Sequence, residues 1–367
     1  NEENVIADLI KSLKAQNYPQ DMVDVFVVAD NCTDSTAELA RNSGAIVYER
    51  FNKKQVGKGY ALDFLIGKIF ERYGKDYYDG FMVFDADNIL DENYIAAMNQ
   101  TFSDGHRIIT SYRNSKNYGT NWISAGYALW FLRESKYLNY SRMLMHTSCA
   151  ISGTGFLVHK DIIKKNDGWK CFLLTEDIQF SIKSVIDGET IAYCKDAVLY
   201  DEQPVDFAQS WSQRLRWARG FLQVFANHGM KLWSTLFKTG RFSCFDMSMT
   251  ILPSIFLSIG TVIMNTVAAV MALYNGENIS GLLMGAVYWA FNVYWIVFLM
   301  GFITTVTEHK QIHCSTAKKI LYMFTFPIYL FSYVPISIAA LFKQVKWEPI
   351  QHGNASTIGE LTKSKAE

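Results

Sequence analysis

"GFMVFDADN", Gly80–Asn88, is a short apolar run that ends in two acids. An apolar stretch of this length, with no polar alternation, reads as a strand buried on both faces, as in a parallel sheet covered by helices. Upstream, "DVFVVAD" (24–30) repeats the pattern and also ends in an acid, and "AIVYER" (45–50) is a third such run. Helical patterns separate them. "STAELARNSG" (35–44) opens on Ser/Thr and stops at Gly, and "KGYALDFLIGKIFERYG" (58–74) also closes on Gly. "ENVIADLIKSLKAQ" (3–16) carries its apolar residues at helical spacing. This is βαβ grammar, and it predicts an α/β domain with a doubly wound sheet. Ligands of such sheets bind outside the carboxyl ends of the strands. Asp30, Asp85 and Asp87 all fall at that edge.

Downstream, from Asn117 to Lys170, the periodicity loosens. "CAISGTGFLVHK" (149–160) reads as a glycine-containing turn entering a strand, and "TEDIQFSIKSVIDG" (175–188) as a helix opened by Thr175, Glu176 and Asp177. There is no internal repeat and no low-complexity tract. The chain opens at an acidic helix start with no strand before it, so a first strand is expected to lie upstream of Asn1.

The 367 residues carry no formal net charge, which argues against bulk nucleic-acid binding. Six scattered cysteines without a CxxC pair argue against a disulfide scaffold or a zinc site. The charge is unevenly spread. Three segments, 251–273, 282–306 and 320–342, carry none, and each reaches the roughly 20 apolar residues that a membrane-crossing helix needs. Buried helices of a soluble protein rarely run so long without a charge. The expected division is therefore a catalytic α/β domain over 1–235, interfacial and transmembrane helices over 236–350, and a polar tail over 351–367. The loop 307–319 is basic and belongs in the cytoplasm by charge. The segment 343–352 is basic too, so three simple spans and the charge rule disagree.

Several residues could carry chemistry. Asp85 and Asp87 would face opposite sides of an extended chain, but a turn beginning at Ala86 could bring both to one point. Carboxylates so placed suit a hard cation, Mg²⁺ or Mn²⁺, that shares its shell with phosphate and water; a solvated turn is the plain alternative. Asp34 reads as a helix cap, and Asp30 as a base or ribose contact. Lys58 sits between two glycines. Glu176 and Asp177 occupy a first helical turn, where acids complement the dipole or, within reach of a proton, serve as a general base. In "QSWSQRLRWARG" (209–220), helical geometry puts Gln213, Arg216 and Trp217 on one face, continued by Gly220. Arg214 lies about 100° away from Gln213. A guanidinium suits phosphate, and an indole suits the flat face of a sugar or base. A basic interfacial helix would explain the Trp and Arg, but not Gln213 or the upstream acids.

"DNCTD", "GKGYAL", "DAD", "SGTGF", "TED" and "QRLRW" stand in the order found in membrane-embedded family 2 glycosyltransferases, which include cellulose, hyaluronan and poly-N-acetylglucosamine synthases. The chain resembles that group over most of its length, and Gln213–Trp217 matches its Q(Q/R)xRW signature in full. The resemblance implies a GT-A fold, a UDP-sugar donor, a divalent metal (Mg²⁺ or Mn²⁺) and inversion at the anomeric carbon. It further implies that Asp30 contacts uracil, that Asp85 and Asp87 bind metal, and that Asp177 is the catalytic base. Gln213, Arg216 and Trp217 would hold the diphosphate and line the acceptor site, with Gly153 and Thr154 shaping the acceptor pocket; Lys58 is counted among the substrate-binding residues. The implied partners are a polysaccharide or lipid-linked acceptor, membrane lipids and an accessory membrane subunit. The implied location is a bacterial plasma membrane, crossed several times, with the catalytic domain in the cytoplasm. The competing readings are a transferase adding one sugar to a lipid, and a membrane-anchored binding or transport protein without chemistry.

Overall fold

A computed structural model of the chain describes residues 1–252, 254–276 and 279–346. The expected polar tail lies outside the described residues, as does most of the basic segment 343–352. Helix α1 (Ile6–Lys14) leads to β1 (Phe26–Asp30), α2 (Thr36–Asn42), β2 (Ile46–Arg50) and α3 (Lys58–Tyr73). β1 and β2 pair in parallel, from Phe26 against Ile46 to Asp30 against Arg50.

The next elements are β3 (Gly80–Val83), the short β4 (Ile89–Leu90), α4 (Tyr94–Ser103) and β5 (Ile108–Ser115). Then come α5 (Trp122–Arg133), a π-helical turn (Glu134–Asn139), α6 (Tyr140–Leu144), β6 (Phe156–His159), α7 (Lys160–Lys165), α8 (Glu176–Ile186) and β7 (Ile191–Asp201). Strands β3 to β7 form one sheet in the order β3-β6-β5-β7-β4. β5 and β7 run parallel, with a bulge between Ser111 and Tyr112, whereas β6 is antiparallel to both its neighbours. The α/β class holds, but the doubly wound pattern describes only the β1–β2 unit; the larger sheet is mixed. After α6 the chain returns along the start of β7, with Cys149 N–H donating to Ile191 O at 2.9 Å. The turn through Gly153 and Gly155 then leads it into β6 against the direction of β5.

The core covers both faces of this sheet. On one, Ile6 and Ile10 of α1 meet Tyr94 and Met98 of α4. On the other, Ile108, Phe156 and Ile191 meet Tyr127 and Leu129 of α5, and Trp169 stacks on Phe180 at 4.6 Å. α5 explains the loose periodicity of its region. It is capped by Asn121 and Ser124 in a reciprocal capping box, and Ile123 to Leu129 are all buried. A helix buried on all sides has no polar stripe to reveal its period.

The C-terminal part is helical. α9 (Phe207–Thr239) runs 33 residues from an Asp206 cap to Gly240, which ends it in the left-handed region at φ 67°. α10 (Phe242–Ile251) buries Cys244 and Met247 and exposes Phe242 and Phe245. α11 (Ser254–Tyr274), α12 (Ile279–Thr307), α13 (Thr316–Phe331) and α14 (Tyr333–Phe342) follow. The apolar stretches 280–307 and 316–342 are long and apolar enough to cross a membrane. The third expected span is not one straight helix but two, broken at Ser332. Pro335 has no N–H to offer the Phe331 carbonyl one turn back, which removes a bond the helix needs there. Tyr322, Phe326 and Tyr329 of α13 join the same core as α5, so this helix packs against the α/β part of the chain.

Candidate active site

A cavity of about 640 Å³ opens at the carboxyl ends of the strands. Its first wall follows β3. Ala86 and Asp87 form a turn, closed by Asn88 N–H donating to Asp85 O at 3.1 Å, and both Asp85 and Asp87 line the cavity. Lys58, at the start of α3, places its ammonium on the Asp85 carboxylate and donates to Gly153 O at 2.7 Å. Burial works against that ammonium, yet the charges of Asp85 and Glu176 outweigh it and hold the Lys58 pKa above its ordinary value. Asp87 is buried, and its carboxylate accepts the Glu202 N–H at 3.0 Å. Thr154 stands behind this wall, where its Oγ accepts the Asp85 N–H at 2.9 Å.

The opposite wall is the start of α8 and one face of α9. Glu176 and Asp177 open α8 and line the cavity. Burial pushes both carboxyls up from the ordinary range, and the Asp177 charge raises Glu176 further. Gly153, at φ 80°, lies beside Asp177; a Cβ there would stand 3.8 Å from Asp177 Oδ2. Gln213, Arg216 and Trp217 share one face of α9 and line the same cavity. Trp217 is fixed edge-on to Tyr127 at 5.7 Å and Phe131 at 6.2 Å. Gly220 sets the approach of α9 to α8, because a Cβ there would fall 2.5 Å from the Thr175 side chain.

Arg214 points elsewhere. It is fully buried and donates to Ser332 Oγ at 2.6 Å and Tyr329 O at 3.3 Å. Its guanidinium lies 4.8 Å and 5.0 Å from the rings of Tyr329 and Tyr333. Asp30 is also apart: its carboxylate takes Arg50 Nη1 at 2.7 Å, and it is not among the cavity's lining residues. Asp34 accepts the Thr36 N–H at 3.1 Å at the entry to α2.

The cavity contains groups that the motifs did not single out. Arg113 of β5 pairs with Asp201 at the end of β7, donates to Ser152 O at 2.8 Å and lies 3.7 Å over the Phe131 ring. Burial pushes Asp201 up to about 6, against the pull of Arg113. "LYDE" (199–202) carries the cue that marked Asp85, an apolar strand ending in acids, and could have been read the same way. Arg113 leaves no such signal, since its partner comes from a strand 88 residues away.

Asp85 and Asp87 offer hard carboxylate oxygens facing one cavity, and among the described residues no cluster of three or more His, Cys, Asp or Glu is assembled to hold an ion. That donor set fits a Mg²⁺-like ion, which takes one or two carboxylates from protein and completes its shell with substrate phosphate and water.

Residues 1–220 match the family model described as "Glycosyltransferase like family 2". Over 94% of its length the chain is 24% identical to the "Probable glycosyltransferase YdaM" of Bacillus subtilis strain 168, covering 81% of that protein. It is 26% identical, over 67% of its length, to the poly-beta-1,6-N-acetyl-D-glucosamine synthase of Staphylococcus epidermidis, of which it spans 57%. Among solved structures, the mannosyltransferase PcManGT from Pyrobaculum calidifontis, in complex with GDP-Man and Mn²⁺, superposes with a TM-score of 0.50. The match covers 92% of this chain and 84% of that one at 14% identity, a likeness of fold.

Proposed function

The chain belongs to the glycosyltransferase like family 2 and is a glycosyltransferase, and from that premise we propose that it moves a sugar from a UDP-sugar, UDP-GlcNAc or UDP-glucose, onto a growing polysaccharide at a membrane, with inversion. The observation that carries this reading is convergence. Lys58, Asp85, Asp177, Gln213, Arg216 and Trp217 come from four separate parts of the chain and line one cavity.

In this reading Asp85 and Asp87 hold Mg²⁺ or Mn²⁺, which when bound supplies positive charge to the departing diphosphate. Arg216 offers the diphosphate a guanidinium fixed before reaction, where preorganised charge is worth most. Lys58 steadies Asp85 and adds a second cation at the donor end. The uracil reaches past the cavity toward Asp30, whose carboxylate Arg50 orients. Asp177 accepts the proton of the acceptor hydroxyl while that oxygen attacks the anomeric carbon from the face opposite the diphosphate. Its burial raises its proton affinity, which suits a base. Gly153 leaves room for the acceptor beside Asp177, Thr154 fixes the Asp85 backbone, Gln213 faces the diphosphate, and Trp217 orients the acceptor ring. The full Q(Q/R)xRW match and the helices 280–307 and 316–342 support placing the chain among the membrane-embedded synthases, with several spans, the catalytic domain in the cytoplasm and an accessory membrane subunit.

The test is a panel of radiolabelled UDP-sugars incubated with membranes carrying the chain, with Mg²⁺, Mn²⁺ or EDTA. Transfer of one sugar, dependent on metal, is expected, with a ladder of long products on a sizing gel. Full transfer in EDTA would remove the metal, and a single-addition lipid product would replace the polysaccharide acceptor. Binding of UDP-sugar without turnover would leave only a binding protein.

A further inference from the structure

The cavity does not end at Trp217. Besides the motif residues, two further walls line it. One is the end of α5 with the π-helical turn and α6, which contribute Trp130, Arg133, Glu134 and Arg142; the other is α10, which contributes Asp246 and Thr250. Arg142 is fully engaged. It donates to the Asp246 carboxylate at 2.7 Å and 3.0 Å and to Thr250 Oγ at 2.8 Å, so it ties the walls together and is neutralised.

Glu134 and Arg133 differ. Glu134 opens the π-helical turn, a distortion that often marks a functional position. It accepts a hydrogen bond from Ser152 Oγ at 3.3 Å. Ser152 precedes Gly153, which borders Asp177, so the Ser152–Gly153 turn links the Glu134 carboxylate to the acid proposed as base. Among the described residues no carboxylate lies at ion-pair distance from Arg133, whose guanidinium sits 5.2 Å from the Trp130 ring. This part of the cavity thus offers a ligand the Glu134 carboxylate and the Arg133 guanidinium, with the rings of Trp130, Phe131 and Trp217 in the same lining.

That combination is the chemistry of a pyranose. A carboxylate accepts from neighbouring hydroxyls, a guanidinium donates to ring and hydroxyl oxygens, and an indole covers the apolar face of the ring. A phosphate headgroup fits poorly, because Glu134 would repel it and Arg142 is already neutralised.

We propose that Glu134 and Arg133 form the acceptor subsite, holding the terminal sugar ring of a saccharide acceptor so that its free hydroxyl faces Asp177. The assignment rests on the donor site and base proposed above. It makes Glu134 a determinant of acceptor specificity, with no part in donor binding.

The experiment uses the full chain purified in detergent and follows UDP release from UDP-GlcNAc and UDP-glucose. The acceptor probes are chitotetraose, cellotetraose and dioctanoylglycerol. We expect one of the saccharides to accelerate release. Glu134→Ala should raise the half-saturating saccharide concentration by about tenfold or more, Glu134→Gln by about threefold, since the amide keeps one acceptor oxygen, and Arg133→Ala by an intermediate amount. The donor KM, UDP affinity and melting temperature should stay near those of the unsubstituted chain. An unchanged half-saturation, or an equal rise in donor KM, would overturn the proposal. So would acceleration by dioctanoylglycerol alone, or by none of the three. Failure of the unsubstituted chain to bind or release UDP would instead bring down the donor site, and this subsite with it.

Discussion

Arg214 and Arg216 are two residues apart on α9 and live in different surroundings. Arg216 lines a cavity with Asp85, Glu176 and Asp177; burial lowers its pKa, and their charges oppose that shift without cancelling it. Arg214 is closed in by Tyr329, Ser332 and Tyr333 at the break between α13 and α14. One side of the helix lines the cavity, and the other is held by the helices that follow it. Arg219 extends the second set of contacts, with Nη1 donating to Ala340 O at 3.1 Å. A basic interfacial helix would make the arginines interchangeable; the structure gives each a distinct partner set. In the proposed reading a guanidinium suits both places, since a lysine ammonium could neither fork toward a diphosphate nor lie flat between tyrosine rings while donating to a carbonyl and a hydroxyl.

The largest expected effect lies on the cavity side. Asp177→Asn keeps the shape of the side chain and removes the proton acceptor. Turnover should fall by roughly 10²-fold or more, with UDP affinity and melting temperature close to those of the parent. Glu176→Gln should lose less. If UDP affinity collapsed together with turnover, Asp177 would be a binding residue and the cavity wall would need a new base.

The two arginines themselves give the sharpest contrast. Arg216→Ala should weaken UDP binding by about tenfold or more, by loss of a charge-assisted contact worth roughly 1.5–3 kcal/mol. Its melting temperature should barely move. Arg214→Ala should do the reverse. It removes the Arg214 bonds to the Tyr329 carbonyl and the Ser332 hydroxyl, which keep their bond to each other at 2.5 Å, and it empties a packed site, at a cost of roughly 2–4 kcal/mol seen as an earlier melt in detergent, while UDP affinity at low temperature holds. Titration calorimetry and thermal melts of the same two preparations decide it. Equal loss of UDP affinity in both would erase the distinction between the sides.

Much of the cavity side could be read from the sequence, and almost none of the other. Asp85, Asp87, Asp177, Gln213, Arg216 and Trp217 announce themselves because strand ends, helix starts and helical spacing are local signals, and each places its side chain within a few residues. The tyrosine seat of Arg214 is assembled from α13 and α14, more than 110 residues downstream, where an apolar pattern indicates only a span. The Arg113–Asp201 pair was hidden for the same reason. α5 was missed because burial on every side erases its period, and the mixed order of the sheet because strand direction depends on how the chain returns after α6. Asp30, a strand-end acid of the same type, bonds Arg50 of β2 and does not line the cavity, a placement set by the pairing of β1 with β2 and absent from its local pattern.

A smaller effect concerns pH. A base must be deprotonated to act, so its raised proton affinity moves the acid limb of the rate upward. Burial raises Asp177 and Glu176 together. The turnover–pH profile should therefore fall off on the acid side at a pH above the usual carboxylate range of about 4. Glu176→Gln removes one of the two coupled charges and should shift that limb down. Arg214→Ala, acting on the other side of α9, should leave its position unchanged. A limb at the ordinary carboxylate position would mean that the rate-determining group is not this buried pair.

The smallest expected effect tests the place where the cavity side of α9 touches α8. Gly220 lies against Thr175, the residue before the two acids, and a Cβ at 220 would sit 2.5 Å from Thr175 Cγ2 and 2.6 Å from its Oγ1. Gly220→Ala must push the start of α8 away by a fraction of an ångström, at an overpacking cost of roughly 1–3 kcal/mol. Because the strain falls on the turn that carries Glu176 and Asp177, turnover should drop a few-fold while UDP affinity is held by Arg216. Thr175→Ala removes the two clashing atoms and keeps the backbone, so the double substitution should recover most of the loss. Thr175→Ala alone should cost little, since its Oγ1 is buried without a hydrogen-bond partner. Recovery in the double variant would place the effect at the α9–α8 contact. A loss that persists with Thr175 trimmed would mean that Gly220 acts through the backbone of α9 itself, and that the cavity face is less rigidly set than the tyrosine-locked side.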